Sequence, residues 1–306
     1  MLQLYLHERC DVEKSLVLQG FLCVAIWRVG MIERETTVAH NEQTKRQKEE
    51  LMTKNKRTGL CHICGENRGL TFEHIPPKFA GNSQSGKSYD VINMVKNGRF
   101  KLKDINGLRA KIHQQGLGDY TLCKSCNNYT GAHYVTAYGH AALAMHQYLN
   151  SIEETQKSDY IYFECDSLNV LAFFKQVIAM FCSINPAGKM IDCKDFLCDK
   201  DNTQFNDSKY RLNMVAIPDE KSNGWRSVVE KMVFKKESND VQKQSFSVYL
   251  SYPFGFLLYT SDSSDIDCLG TDITEMSQYG YGNTPHFSLK LPCVKVDDVI
   301  PGFLRQ

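Results

Sequence analysis

The sequence predicts an α+β fold, and three observations carry that prediction. Two Cys-x-x-Cys pairs, Cys61–Cys64 and Cys123–Cys126, are separated by 58 residues and bracket a stretch that reads as strand, insertion and helix. The second half of the chain holds several short runs rich in β-branched and aromatic residues, most with the period-two alternation of antiparallel strands. One run, Leu168 to Ile184, is strongly apolar and reads as a buried helix ended by Asn185-Pro186. Three regions follow from this: an N-terminal extension over 1–58, a cysteine-bracketed core over 59–150, and an α+β C-terminal domain over 151–306.

The first region opens with an apolar run, Leu16 to Trp27, of about twelve residues where a bilayer span needs about twenty. It lacks the basic flank and small-residue cleavage site of an export signal, so a cytoplasmic, non-membrane protein is expected. A polar, charge-rich segment from Glu33 to Lys56 has helical composition and reads as a helix or a partly disordered lead-in. Met31 and Met52 are alternative starts to Met1.

The core begins at Gly59. Gly65-Glu66-Asn67-Arg68-Gly69 supplies turn chemistry after the first cysteine pair, and Leu70-Thr71-Phe72 alternates into a strand that ends at Glu73-His74. Pro76-Pro77 stops that strand and forces an extended exit. A long insertion follows, with turn signals at Gly81-Asn82-Ser83 and Lys96-Asn97-Gly98. It carries Lys78, Lys87, Lys96, Arg99, Lys101, Lys103, Arg109 and Lys111 against three Asp. After Cys123 the pattern turns helical, capped by Ser125 or Asn127, and continues through Ala132 to Leu149 with Gly131 and Gly139 as weak points.

In the C-terminal region the expected strands are Tyr160–Phe163, Arg211–Ile217, Val229–Phe234, Phe246–Tyr252, Gly255–Tyr259 and His286–Leu291. They are expected to form an antiparallel sheet covered on one face.

Charge and cysteine usage narrow the chemistry. The net charge of +1 hides an asymmetry: residues 1–133 carry 20 Lys/Arg against 13 Asp/Glu, whereas residues 134–306 carry 16 against 22. A polyanion is therefore attracted to the first half. Among the 12 cysteines, only four have the spacing of two ligand pairs. The rest are scattered, several in apolar contexts, as expected of free buried thiols. Cys193 and Cys198 could be read as a further pair but have no second pair to complete a site. Cys61, Cys64, Cys123 and Cys126 read as four thiolate ligands of a structural Zn²⁺ that ties the strand turn to the helix start. His62, inside the first pair, reads as a bystander.

A second set of residues has different chemistry. His74, with an ordinary pKa near 6.5, suits a general base. Glu73 offers a carboxylate, and Asn127, directly after the last zinc thiolate, offers a hard neutral oxygen suited to Mg²⁺ or Mn²⁺. Neighbouring strand residues point to opposite faces, so Glu73 and His74 can share a task only where the backbone leaves the pleat.

The order Cys-x-x-Cys, acid-His, Cys-x-x-Cys-Asn resembles the HNH endonuclease superfamily, in its four-cysteine branch. The resemblance covers Gly59 to Tyr134, about a quarter of the chain, and is supported by Glu73-His74-Ile75-Pro76-Pro77-Lys78. It implies a ββα-metal, treble-clef-like core and a metal-dependent nuclease cutting nucleic acid, most simply DNA. Glu73 and Asn127 would be metal ligands and His74 the general base. The insertion lysines and arginines would be nucleic-acid contacts. By analogy with the family, a setting in phage defence or a mobile element is expected. The acidic C-terminal domain, for which the resemblance implies no activity, reads as available to a regulatory partner or a homodimer contact.

This chain departs from the family in having Glu rather than Asp before the histidine. It has Gly118 and Asp119 where many members have an asparagine, and Asn127 where they have a final histidine. Asn128 and His133 are reserve candidates; His133 is six residues from Asn127, about 240° around a helix. The competing expectation is a non-catalytic zinc module for nucleic-acid or protein binding.

Overall fold

The computed structural model describes residues 3–6, 57–90, 109–152, 159–219, 224–234, 241–260 and 268–295. The first part of the chain contributes β1 (Gln3–Leu6), β2 (Thr58–Leu60), β3 (Asn67–His74), β4 (Gly86–Asp90), β5 (Lys111–His113), β6 (Gly118–Cys123), α1 (Lys124–His133) and α2 (Val135–Ser151). The second part contributes β7 (Tyr160–Cys165), α3 (Val170–Ile184), α4 (Lys194–Cys198), β8 (Tyr210–Ala216), β9 (Gly224–Phe234), β10 (Val241–Ser251), β11 (Phe254–Thr260), β12 (Thr271–Asp272) and β13 (Phe287–Pro292). The fold is thus mixed α+β.

Among the described residues the strands form three sheets. The three-stranded one, in the order β2-β3-β6, carries the first cysteine pair on the β2–β3 connection and the third cysteine at the end of β6. An eight-stranded antiparallel sheet runs β12-β8-β11-β10-β9-β1-β4-β5, and β13 pairs with β7 in a third. Gln3–Leu6, within the stretch read as an extension, pair with β4 on one side and β9 on the other. The helix expected over 33–56 lies outside the described residues. The basic insertion starts and ends in paired strands, Gly86↔His113 and Ser88↔Lys111, where turn signals alone had been legible.

Helix α3 explains how the second half holds together. It is buried along nearly its whole length and packs against α2, α4 and β6. Asn169 caps it, accepting the Ala172 N–H at 3.1 Å, one of the four amides that a helix start leaves without a partner. Phe173 lies between the Tyr138 ring, stacked at 5.9 Å, and the Phe254 and Phe256 rings of β11 at 6.1 and 6.0 Å. The T-shaped and offset contacts are the favoured aromatic geometries.

The sheet differs from the expectation of one covered face. Phe254, Phe256 and Leu258 join the main core, while Leu257 and Tyr259 on the opposite face are also buried. Strands buried on both sides lose the clean alternation, which is why β11 reads as Phe-Gly-Phe-Leu-Leu-Tyr. The helix after the second cysteine pair also differs. Its N-cap residue is Cys123 rather than Ser125 or Asn127, and it breaks at Tyr134 rather than at either glycine. Tyr134 is fully buried with its hydroxyl donating to the Leu197 carbonyl at 2.8 Å, so tertiary packing sets the break. Among the described residues no helix is long and apolar enough to cross a membrane.

Truncating Phe173 to alanine should lower unfolding stability by about 3–5 kcal/mol, because the surrounding rings leave a cavity. Asn169→Ala should lower it by about 1 kcal/mol. Urea unfolding followed by tryptophan fluorescence measures both, and equal losses would contradict this account of the core.

Candidate functional site

The four paired cysteines converge. Cys61 and Cys64 sit on a tight turn in which the Gly65 N–H donates to the Cys61 carbonyl and the Cys61 N–H to the Glu66 carbonyl, both at 2.9 Å. Gly65 has φ 72°, a left-handed backbone angle that favours glycine, and a Cβ there would push on the tip of the Ile191 side chain, 2.6 Å away. Cys123 ends β6 and Cys126 lies in the first turn of α1. The four sulfurs lie within 4.8 Å of one another, with Cys64 Sγ 3.9 Å from Cys123 Sγ. Zn–S bonds of about 2.3 Å put tetrahedral sulfurs ~3.8 Å apart, so the spacing fits a four-thiolate ion. The Cys123 N–H also points at Cys61 Sγ at 3.3 Å, a donor that supports thiolate charge.

As thiols, Cys61, Cys64 and Cys126 resist ionisation. The hydrogen bond with Cys126 and burial push Cys61 up to about 12. Burial raises Cys64, and a hydrogen bond with Cys198 raises Cys126. A dication reverses this preference by stabilising the thiolates directly. The other cysteines divide: Cys198 contacts Cys126, whereas Cys193 contacts Cys182, so 193 and 198 do not act as one ligand pair. His62 donates from Nδ1 to the Cys182 carbonyl at 2.9 Å, away from the four sulfurs.

The same sheet carries the second set. The β3–β6 register pairs Thr71 with Leu122 but Phe72 with Tyr120, leaving Thr121 as an extra residue on β6. That bulge is used twice. The Thr121 carbonyl accepts the His62 N–H at 3.0 Å, and its hydroxyl donates to Ser183 Oγ of α3 at 2.9 Å. A bulge bends and twists the ladder locally. Beyond it, Glu73 and His74 both line one cavity of about 580 Å³, together with Phe72, Pro77, Lys78, Phe79, Ser83, Asn127 and Val135.

Each of the three polar residues is held in a defined state. Asn127 donates from Nδ2 to Thr71 Oγ1 at 2.9 Å and to the Phe72 carbonyl at 3.2 Å. Thr71 uses its own hydrogen on the Leu122 carbonyl, so it must accept from Asn127, and the amide orientation is settled by its partners. The carboxamide oxygen is thereby left as the free end. His74 Nε2 lies 2.9 Å from the Gln115 carbonyl. A carbonyl only accepts, so Nε2 carries the hydrogen and Nδ1 of the neutral ring is a lone-pair acceptor. The Glu73 carboxyl is buried and has no hydrogen-bond or ionic partner among the described residues. Burial alone pushes it from 4.5 up to about 8.

The turn after Glu73-His74 is pinned by a residue that sequence reading marked only as part of a turn. Asn82 is buried; it donates to the Pro76 and Leu117 carbonyls, each at 2.7 Å, and accepts the Leu117 N–H at 2.6 Å. It ties the exit after β3 to the approach to β6, which places Gln115 under His74. Gly81-Asn82-Ser83 was the only signal for this role.

The remaining candidates are scattered. Lys78 lines the cavity. Arg109 and Lys111 are exposed at the start of β5, with Lys111 Nζ 3.9 Å from Asp119. Lys96, Arg99, Lys101 and Lys103 lie outside the described residues. Asn128 is exposed and His133 packs on Tyr129 at 4.5 Å between ring centroids; neither lines the cavity. Compared with protein-family profiles, curated proteins and solved structures, the chain has no significant match.

Two outcomes follow. Cys61→Ser should reduce bound zinc, measured by atomic emission on purified protein, and abolish cooperative unfolding of the core; full zinc content would contradict the four-thiolate assignment. Glu73 takes up a proton in the folded protein at pH values where the unfolded chain has released it. Its contribution to stability is therefore complete below about pH 4.5 and is lost as pH rises through about 8. The thermal midpoint of zinc-loaded protein kept free of Mg²⁺ and Mn²⁺ should decline across that window, and Glu73→Gln should flatten the decline.

Proposed function

We propose that this chain is a metal-dependent endonuclease hydrolysing phosphodiester bonds of nucleic acid, most simply DNA. The observation that carries the proposal is the meeting of Glu73, His74 and Asn127 at one cavity. An unpartnered buried carboxyl, a free carboxamide oxygen and an imidazole with its lone pair available face the same space. A buried carboxyl without a partner is costly, and a cation is the group that relieves it. The donor set of one carboxylate and one amide oxygen suits Mg²⁺ or Mn²⁺, with water and phosphate oxygens completing the shell. Such an ion supplies charge stabilisation at the phosphate and the departing oxygen.

The protein's own residues do the rest. His74, held through Nε2 by Gln115, accepts a proton from water at Nδ1 as the water oxygen bonds to phosphorus and the opposite P–O bond breaks. Thr71 and the Phe72 carbonyl keep the Asn127 oxygen turned outward, and the leaving oxygen takes its proton from solvent. Lys78, on the cavity wall, offers a positive charge to phosphate. The four-cysteine site takes no chemical part; it supports the sheet and helix that carry these groups. The resemblance to HNH endonucleases implies the same roles for Glu73, His74 and Asn127, and the excess of basic residues before position 134 suits a polyanionic substrate.

Plasmid nicking with Mg²⁺ or Mn²⁺ is the test. His74→Ala should lower the single-turnover rate by about 10²–10⁴-fold with zinc content and fold retained. Wild-type protein that cleaves no nucleic acid with either ion, while still binding it, would instead favour a zinc-stapled binding module.

A further inference from the structure

Phe79 is the least expected residue at the cavity. It follows Lys78 in a single 3₁₀ turn spanning Lys78–Ala80, and 58 % of its surface is exposed. Its ring is nevertheless seated from below. A Cβ on Gly139 would lie 2.0 Å from the ring, so only glycine at that point of α2 lets the aromatic rest directly on helix backbone. His140 closes one side at 5.9 Å between centroids. Glycine is a poor residue in a helix interior, and here α2 runs on unbroken from Val135 to Ser151. It serves neither as a cap nor as a kink; the close approach of Phe79 is what it permits.

We propose that Phe79 is a stacking platform for an unpaired base of a DNA strand whose adjacent phosphate lies against Glu73, His74 and Asn127. The inference rests on the nuclease reading above and adds the form of the substrate. A base inside a duplex has both faces covered by its neighbours, so an exposed ring beside the phosphate site can gain contact only from a base outside the stack. Lys78, in the same turn and on the cavity wall, pairs a cation with the ring, the combination that single-strand grooves use. The preferred substrate is then a strand with an unstacked nucleotide next to the scissile bond, not uniform duplex.

Stacking and cleavage can be read separately. The probe is a single-stranded oligodeoxynucleotide carrying one 2-aminopurine, added with Mg²⁺ to His74→Ala protein, and the control is the same base paired in a duplex. The expected result is quenching of the single strand only. Phe79→Ala should remove the quenching and weaken single-strand binding on the order of ten-fold. Phe79→Trp should restore both. Gly139→Ala should mimic the loss while leaving Phe79 in the chain, because the new methyl displaces the ring. Quenching that survives Phe79→Ala, or its absence with the unaltered ring, overturns the inference. Cleavage by wild-type protein without stacking overturns this inference alone, and stacking with no cleavage of either the plasmid or the single strand overturns the catalytic reading alone.

Discussion

Cys61 and Cys64 belong to the turn between β2 and β3, Cys123 ends β6, and Cys126 begins α1; bringing four sulfurs within 4.8 Å therefore ties three elements at one point. Single hydrogen bonds, from the His62 N–H to Thr121 and from Asn127 to Thr71 and Phe72, link the same elements only in pairs. The strands of this small sheet are short, β2 is three residues long, and most of β3 is not fully buried. A sheet of that size buries too little apolar surface to fix its own geometry. An ion held by the four sulfurs would supply the missing constraint, and because Asn127 follows Cys126 directly, it would reach the cavity after one residue.

The rest of the cavity is held by hydrogen bonds to backbone rather than by packing. The Gln115 carbonyl selects the tautomer of His74, the Phe72 carbonyl turns Asn127, and Asn82 locks the connection between them. Glu73 is the exception, since burial holds it with no partner among the described residues to balance the charge it carries when ionised. Groups positioned by backbone carbonyls thus surround one buried carboxyl, the arrangement from which the proposed cation role is argued.

The C-terminal region is joined to this centre by identifiable contacts. The helix α3 receives the Thr121 hydroxyl through Ser183 and the His62 ring through the Cys182 carbonyl. Tyr134, at the break between α1 and α2, bonds to the Leu197 carbonyl of α4. Lys175, buried on α3, donates to the Asp199 and Lys200 carbonyls at 2.6 and 3.2 Å and lies over the Phe196 ring. Burial lowers its pKa to about 8, with carbonyl dipoles and an aromatic face in place of a carboxylate partner. The apolar core accordingly runs without interruption from Cys61 to Leu291.

The sequence by itself determined what is local. The Cys-x-x-Cys spacing marked four ligands, the apolar run marked α3, and alternation marked most strands of the C-terminal sheet. Adjacency placed Asn127 beside the metal-type cysteines. Tertiary structure alone decided that Glu73 and His74 line one cavity with Asn127, because the cavity's walls come from elements distant in the chain. It also decided that the helix breaks at Tyr134, that strands bracket the basic insertion, and that Phe79 rests on Gly139. Each of these depends on a partner distant in the chain, and short-range patterns of residues carry no record of which distant backbone will be the neighbour.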